Sequence, residues 1–331
     1  MNKNILITGG GGYVGSYLVP FLLKKDFHIT VYDRFYFNSN YLPNHKNLRI
    51  INGDIRDITK FEKSLENIDC VIHLACISND ASFELDKDLS KSTNLDCFEP
   101  LVKTSKKNGV KRFIYCSTSS VYGVSDKPEV KEDHEKVPLT YYNEYKYLCE
   151  PILLKYLDDN FCGSIIRPAT VCGLAPRMRL DLSVNILTYS AVSKKKITVF
   201  GGSQLRPNLN IKDMCRVYEL FINMDKNLIQ GEAFNIGYQN LSIDQIATMV
   251  KNIYESKFKD KIEIEHKKSD DIRSYHINSD KIKSKLNFEP QFAIEDAITE
   301  MIDYFSSQDS LEKFDDTIFY NVKHLKKDLS A

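Results

Sequence analysis

Short apolar runs alternate with amphipathic stretches through the first half of the chain. Asn4–Thr8 is apolar at Ile5, Leu6 and Ile7 and runs straight into glycines, as a buried strand does. Residues 13–25 follow, with Val14, Leu18, Phe21 and Leu22 at helical spacing. His28–Tyr32 is β-branched and ends at Asp33, a second strand. Leu48–Ile51, Val71–Leu74 and Arg112–Cys116 read as further strands, with helices expected over 58–67 and 88–108 between them. A helix carrying Tyr142 comes next, then the strand Ser164–Arg167, stopped by Pro168. Strand and helix alternating to residue 168 call for an α/β architecture, a doubly wound parallel sheet with helices on both faces.

Beyond Pro168 the pattern loosens. It predicts a helix near 181–193, extended pieces at Ile197–Phe200 and Asn208–Ile211, and a helix over 212–224. Ala233–Ile236 is strand-like and suits a return to the main sheet; 242–307 alternates helix and short strand as a smaller lobe. From Ser307 the chain is polar and charged with a few aromatics, and it reads as a loosely packed tail. No internal repeat or low-complexity linker interrupts this plan.

Composition narrows the function. The 331 residues carry 45 basic and 45 acidic side chains, so no global charge draws the chain to nucleic acid or a membrane surface. No apolar stretch approaches the length of a bilayer span, and the amino-terminal run is too short for a signal peptide. The eight cysteines show neither Cys-x-x-Cys pairs nor zinc-like spacing. These features fit a cytoplasmic protein with reduced thiols and no metal.

The candidate chemistry begins at Thr8-Gly9-Gly10-Gly11-Gly12-Tyr13-Val14-Gly15, between the first strand and first helix. Glycines there permit a tight turn and let backbone amides approach a pyrophosphate at the positive end of the helix. Two frames fit, Gly10-x-Gly12-x-x-Gly15 and Gly9-x-x-Gly12-x-x-Gly15; the leading Thr8-Gly9 favours the second. Asp33, eighteen residues after Gly15, is placed to accept hydrogen bonds from ribose hydroxyls and to repel a 2′-phosphate. NAD is therefore favoured over NADP, although Arg34 beside it works against that preference. Asp54, before Ile55 at the end of the third strand, is within reach of the adenine edge. Tyr142 and Lys146 stand four residues apart on one helical face, where an ammonium beside a phenol favours the phenolate.

Taken in order, these pieces resemble the extended short-chain dehydrogenase/reductase family, the NAD-dependent nucleotide-sugar epimerases and dehydratases. The resemblance rests on Thr8-Gly9-x-x-Gly12-x-x-Gly15, Gly53–Asp57, His73-Leu74-Ala75, Ser117–Gly123, Tyr142-x-x-x-Lys146 and Arg167–Gly173, and spans residues 3–305. It implies a Rossmann domain over 1–168 to which 212–238 returns, a substrate-binding lobe from 169–211 and 239–307, and a tail over 308–331. It implies Thr118, Tyr142 and Lys146 as catalytic residues. Thr118 would bond a sugar oxygen, Tyr142 would exchange the proton, and Lys146 would hold the nicotinamide ribose. Cofactor contacts would come from Gly9, Gly12, Tyr13, Val14, Gly15, Asp33, Arg34, Asp54, Ile55, Leu74, Ala75, Asn94 and Pro168, besides Tyr142 and Lys146. Substrate contacts would come from Thr118, Ser119, Asn185, Arg206 and Arg273, the arginines gripping the nucleotide diphosphate. Arg177 and Arg179 add basic groups to the same lobe.

Two departures refine the expectation. Where the family's 4,6-dehydratases carry Asp-Glu after the threonine, this chain has Ser119-Ser120, which lack the acid for eliminating water. Pro207-Asn208 follows Arg206 where many relatives have aspartate. The run Pro176–Leu182 is similar to enzymes that modify sugars of bacterial surface polysaccharides. The leading expectation is an NAD-dependent epimerase acting on a nucleotide-diphosphate sugar at carbon-4; the alternative is a nucleotide-sugar 4-dehydrogenase or keto-sugar reductase. A non-catalytic regulatory or RNA-binding module comes third, because the Tyr/Lys pair is retained. Family members pair as homodimers through a four-helix bundle, here from helices 88–108 and 141–157, with Leu101, Val102, Leu148, Ile152 and Leu153 as candidates.

Overall fold

The computed structural model describes residues 3–38, 40–125, 127, 129–269 and 274–330. Its strands, in chain order, are β1 (Asn4–Thr8), β2 (His28–Asp33), β3 (Leu48–Asn52), β4 (Cys70–His73), β5 (Arg112–Cys116) and β6 (Cys162–Pro168). They continue as β7 (Thr170–Cys172), β8 (Lys196–Phe200), β9 (Leu205–Asn210), β10 (Ala233–Ile236), β11 (Gln239–Ser242) and β12 (Glu263–Lys267). The helices begin with α1 (Tyr13–Leu23), α2 (Ile58–Ser64), α3 (Asp80–Phe83), α4 (Lys87–Lys91), α5 (Phe98–Lys107) and α6 (Tyr141–Leu154). The later ones are α7 (Ser183–Lys194), α8 (Ile211–Asn223), α9 (Lys226–Ile229), α10 (Ile243–Lys257), α11 (Asp280–Leu286), α12 (Ile294–Ser306) and α13 (Asn321–Leu329).

Seven strands form one parallel sheet in the order β10-β6-β5-β4-β1-β2-β3. Successive side chains of a strand face opposite sides, and the core divides accordingly. Ile5 and Ile7 join Val31, Ile72 and Ile114 against α1 and α8. Leu6 joins Val71, Phe113 and Tyr115 against α2, α5 and α6 on the other face. The strand order reverses beside β1, between β2 and β4, and an open α/β sheet binds its ligand in the crevice beyond such a point.

At Pro168 the chain leaves the large sheet, and by Thr170 it has joined a second one, β11-β9-β7. β8 and β12 pair in a third, and α7, α10 and α12 pack with them around a separate apolar core. β10 pairs with β6 on the large sheet.

The helix expected over 88–108 is broken. α4 passes through one π-helical turn at Ser92–Asp96 before α5 begins. Pro100 has no N–H to give the carbonyl of residue 96, so the regular ladder cannot run through this point. The loosely packed tail is a correction. Phe314 is buried against Tyr189, Phe305 and Phe319, with ring centroids 5.1–5.8 Å apart. α13 then runs back to the main cleft, with Leu325 buried beneath it. Few apolar residues suffice here because neighbouring elements supply the rest of the cluster.

Candidate active site

A cleft of about 480 Å³ opens beyond the carboxyl ends of β1, β2, β4 and β5, with the second lobe as its far wall. Its floor is the glycine turn. Gly9 sits at φ +75°, and a Cβ there would come within 2.6 Å of the Ala75 backbone nitrogen, so only glycine fits. At Gly15 a Cβ would lie 2.5 Å from Cα of Gly10, so the helix packs directly on the turn. Gly12 precedes α1 and makes no side-chain cap. The first N–H groups of that helix are thus available to an anion.

Asp33 stands at the edge of this turn. Its carboxylate accepts hydrogen bonds from the N–H of Gly11 (2.9 Å) and of Phe35 (2.7 Å). Burial raises its pKa, with those two bonds opposing. Arg34 reaches toward Asp54, with Nε 3.7 Å from Oδ2, so part of its charge is already answered. Arg56 grips the same carboxylate with Nε at 3.0 Å and Nη2 at 2.7 Å. Burial works against the Asp54 charge, but these arginine contacts hold its pKa below the usual carboxylate range. Tyr13, Val14, Ile55, Leu74, Ala75 and Pro168 also line the cleft.

Toward β5 the cleft meets α6. Thr140 caps this helix, its Oγ1 accepting from the Asn143 N–H, so Tyr142 lies in the first turn and Lys146 one turn later. Both side chains line the cleft together with Thr118 and Ser119. Lys146 is buried, and its ammonium donates to the Cys116 carbonyl at the end of β5, 2.7 Å away. Burial pushes the Tyr142 phenol above its ordinary pKa, and Lys146 pulls it down only in part. The sequence-based expectation of a lowered value is thus reversed here, because desolvation outweighs one ammonium. Thr118 is held through its hydroxyl, 2.8 Å from Ser120 Oγ, which donates to Asn143 Oδ1 at 2.6 Å. Tyr145 packs on Phe83 (5.3 Å between centroids) and Tyr141 is exposed, so neither joins the cleft.

Two expected contacts fall elsewhere. Asn94 sits behind the wall, its amide bonded to both N–H and C=O of Ile77 at 2.9 Å, so it braces the loop after β4. Asn185 is wholly buried, accepting from the Gly173 N–H (3.0 Å) and donating to Tyr13 Oη (3.2 Å) and the Arg179 carbonyl (2.9 Å). Its polar atoms are spent on joining the lobes, which removes it from the substrate contacts. Arg273 lies outside the described residues. Arg206 does line the cleft, its guanidinium 5.4 Å from the Tyr275 ring centroid. Arg179 pairs with Asp181 at 2.9 Å.

Residues not singled out as contacts also line the cleft, among them Cys76, Thr170, Phe37, Tyr275 and Asn321. Phe37 and Thr170 follow Asp33 and Pro168 closely, which was a usable signal. Asn321 carried none. Among the described residues, no group of three or more His, Cys, Asp or Glu side chains is placed to hold a metal, and no helix is long and apolar enough to cross a membrane.

An uncapped helix start, a glycine that excludes any Cβ and the Asp33 carboxylate at the edge of the turn together fit a dinucleotide. Comparisons with known proteins agree. The chain is 25% identical over 321 residues to the low-salt glycan biosynthesis protein Agl12 of Haloferax volcanii, covering 92% of this chain and 99% of that one. It is 28% identical over 326 residues to YtcB of Bacillus subtilis, described as an uncharacterized UDP-glucose epimerase, covering 92% and 98%. Among solved structures, UDP-glucuronic acid 4-epimerase from Bacillus cereus, in complex with UDP-glucuronic acid and NAD, superposes with a TM-score of 0.81 at 28% identity, covering 92% of this chain and 99% of that one. Residues 5–237 match a family profile directly, and the chain belongs to the NAD dependent epimerase/dehydratase family, whose enzymes depend on NAD.

Proposed function

We propose that the protein is a nucleotide-sugar epimerase that inverts carbon-4 through a transient keto-sugar. The observation that carries this reading is the meeting of Tyr142, Lys146 and Thr118 in the cleft that holds the glycine turn, with Ser119 and Ser120 where an acid would be needed for elimination. When bound, NAD supplies the hydride acceptor and donor.

Tyr142 removes the proton of the C4 hydroxyl as that carbon is oxidised and returns a proton after the sugar has presented its other face. Lys146 stands on the same helical face, and its charge favours the phenolate that this exchange requires. Thr118 holds a sugar oxygen, its own hydroxyl oriented by Ser120 and Asn143. Arg206, on the substrate side, is suited to a diphosphate. The names of the relatives make UDP-sugars the first class to try.

Incubation with a panel of nucleotide sugars tests the reading. Inversion without accumulation of reduced cofactor supports epimerisation; steady accumulation favours the 4-dehydrogenase alternative. A homodimer through α5 and α6 remains part of the proposal. Leu101, Val102 and Leu153 are intramolecular core, but Tyr141, Leu148 and Leu154 of α6 stay exposed. Eight free cysteines suit a reducing, cytoplasmic setting.

A further inference from the structure

Arg177 is 1% exposed and is among the largest enclosed side chains of the protein. Its backbone N–H donates to Ser16 Oγ in α1 (3.1 Å), and its guanidinium stacks on Phe37, 3.7 Å from the ring centroid. Nη2 donates to the Ile318 carbonyl (2.9 Å) and to Asn321 Oδ1 (2.6 Å), while Nε has no hydrogen-bond partner. Both acceptors are neutral. Among the described residues no carboxylate stands within ion-pair distance of this guanidinium. A buried cation without a direct ion-pair partner is disfavoured; burial, with the Arg179 charge adding to it, pushes its pKa down to about 9, and the Asp181 carboxylate opposes this only in part. Yet the same side chain lines the cofactor cleft, next to the end where Asp33, Tyr36 and Phe37 follow β2.

The segment that holds it is also tied to every wall of that end. The Asn321 N–H donates to Asp181 Oδ2 (3.1 Å), and its Nδ2 donates to Ser78 Oγ (2.8 Å) in the loop after β4. His324 meets the Tyr36 carbonyl through Nε2 (2.9 Å), and its ring lies 4.9 Å from that of Tyr36 and 5.2 Å from that of Phe37. Asn321 and Leu325 themselves line the cleft.

We propose that Arg177 binds a phosphate of the dinucleotide, and that residues 317–329 form a strap which holds Arg177 in place and closes the adenosine half of the cleft. The phosphate supplies the directly paired anion that the buried guanidinium lacks, since Asp181 and Asp33 act on it only from beyond ion-pair distance. By reciprocity, whatever the strap adds to cofactor affinity, the cofactor adds to docking of the strap. The inference rests on NAD binding and is independent of which sugar reaction follows.

Nucleotide-stripped full-length protein is titrated with NAD, ADP and NADP by calorimetry. Arg177→Met is expected to weaken NAD and ADP at least ~10-fold, as loss of a charge-assisted phosphate contact would, and Arg177→Lys to recover part of the loss. An equal loss for NAD and ADP places the guanidinium on the diphosphate; a loss confined to NADP, with NAD unchanged, would overturn the proposal. Should Arg177→Met not fold, Asn321→Ala carries the test, with NAD expected to dissociate severalfold faster. NAD, and not UDP, is expected to slow tryptic cleavage at Lys323, Lys326 and Lys327. Affinities within about twofold of the parent for all three nucleotides, or cleavage indifferent to NAD, would overturn the proposal.

Discussion

Replacing Arg167 by Met tests how the active-site helix is fixed to the sheet. Arg167, on β6, meets Glu150 of α6 through Nε (3.0 Å) and Nη2 (2.6 Å), with both side chains at most 5% exposed. Nη1 donates to Tyr122 Oη (2.7 Å) and the Glu132 carbonyl (3.0 Å). Glu150 also accepts from Ser117 Oγ at 2.6 Å, one residue before Thr118, and lies one turn beyond Lys146. Arg167→Met leaves that carboxylate buried with Ser117 as its remaining donor, a cost of about 3–5 kcal/mol. An unfolding entropy of about 2.1 cal/mol/K per residue over 331 residues gives ~0.7 kcal/mol/K. The midpoint should therefore fall by about 4–7 °C in calorimetry. The double variant Arg167→Met/Glu150→Met removes both charges and should regain most of that loss. A fall below ~1 °C, or strictly additive single losses, would refute the reasoning.

Four further variants probe the site and its surroundings. His73, buried against Thr8 Oγ1 at 2.8 Å, has its pKa pushed down to about 3 by burial, with Lys146 adding to it. The unfolded chain takes up this proton below about 6.5 and the folded one does not, so stability is lost as pH falls from there toward 3. By pH 5 the loss is roughly 2 kcal/mol, and His73→Gln should flatten that slope in urea titrations. Tyr142→Phe is expected to lower kcat by about 10²–10⁴ while NAD still binds; Lys146→Met should move the acidic limb of the pH–rate profile, where the phenol ionises, further up, since the ammonium opposes burial at the phenol. Gly15→Ala, whose Cβ would sit 2.5 Å from the Gly10 backbone, should cost at least ~10-fold in NAD affinity by calorimetry.

Local chemistry was legible in the sequence. The β1–glycine–α1 unit, Asp33 and the Tyr142/Lys146 pair depend on neighbours a few residues away, and alternation of strand and helix dictates the parallel sheet. Contacts between distant segments were not. Asn185 looked like a substrate ligand until its amide met Tyr13, 172 residues away. Asn94 sat in an expected regular helix, and only the π turn aims its amide at the Ile77 backbone. The closing segment looked loose because Phe314, Phe319 and Leu325 are spread among charges. Their apolar partners, such as Tyr189 and Phe305, come from elements far away in sequence. Arg177 read only as an added basic group of the substrate lobe, and nothing nearby in sequence foretold its burial on Phe37.

The most direct test of carbon-4 inversion uses UDP-glucose, UDP-glucuronic acid and UDP-N-acetylglucosamine labelled with deuterium at C4. An inverted sugar that keeps its deuterium at C4 is expected, with no label lost to solvent or to added NAD. Transfer of the label to the free cofactor pool, with the sugar left as a ketone, would contradict it.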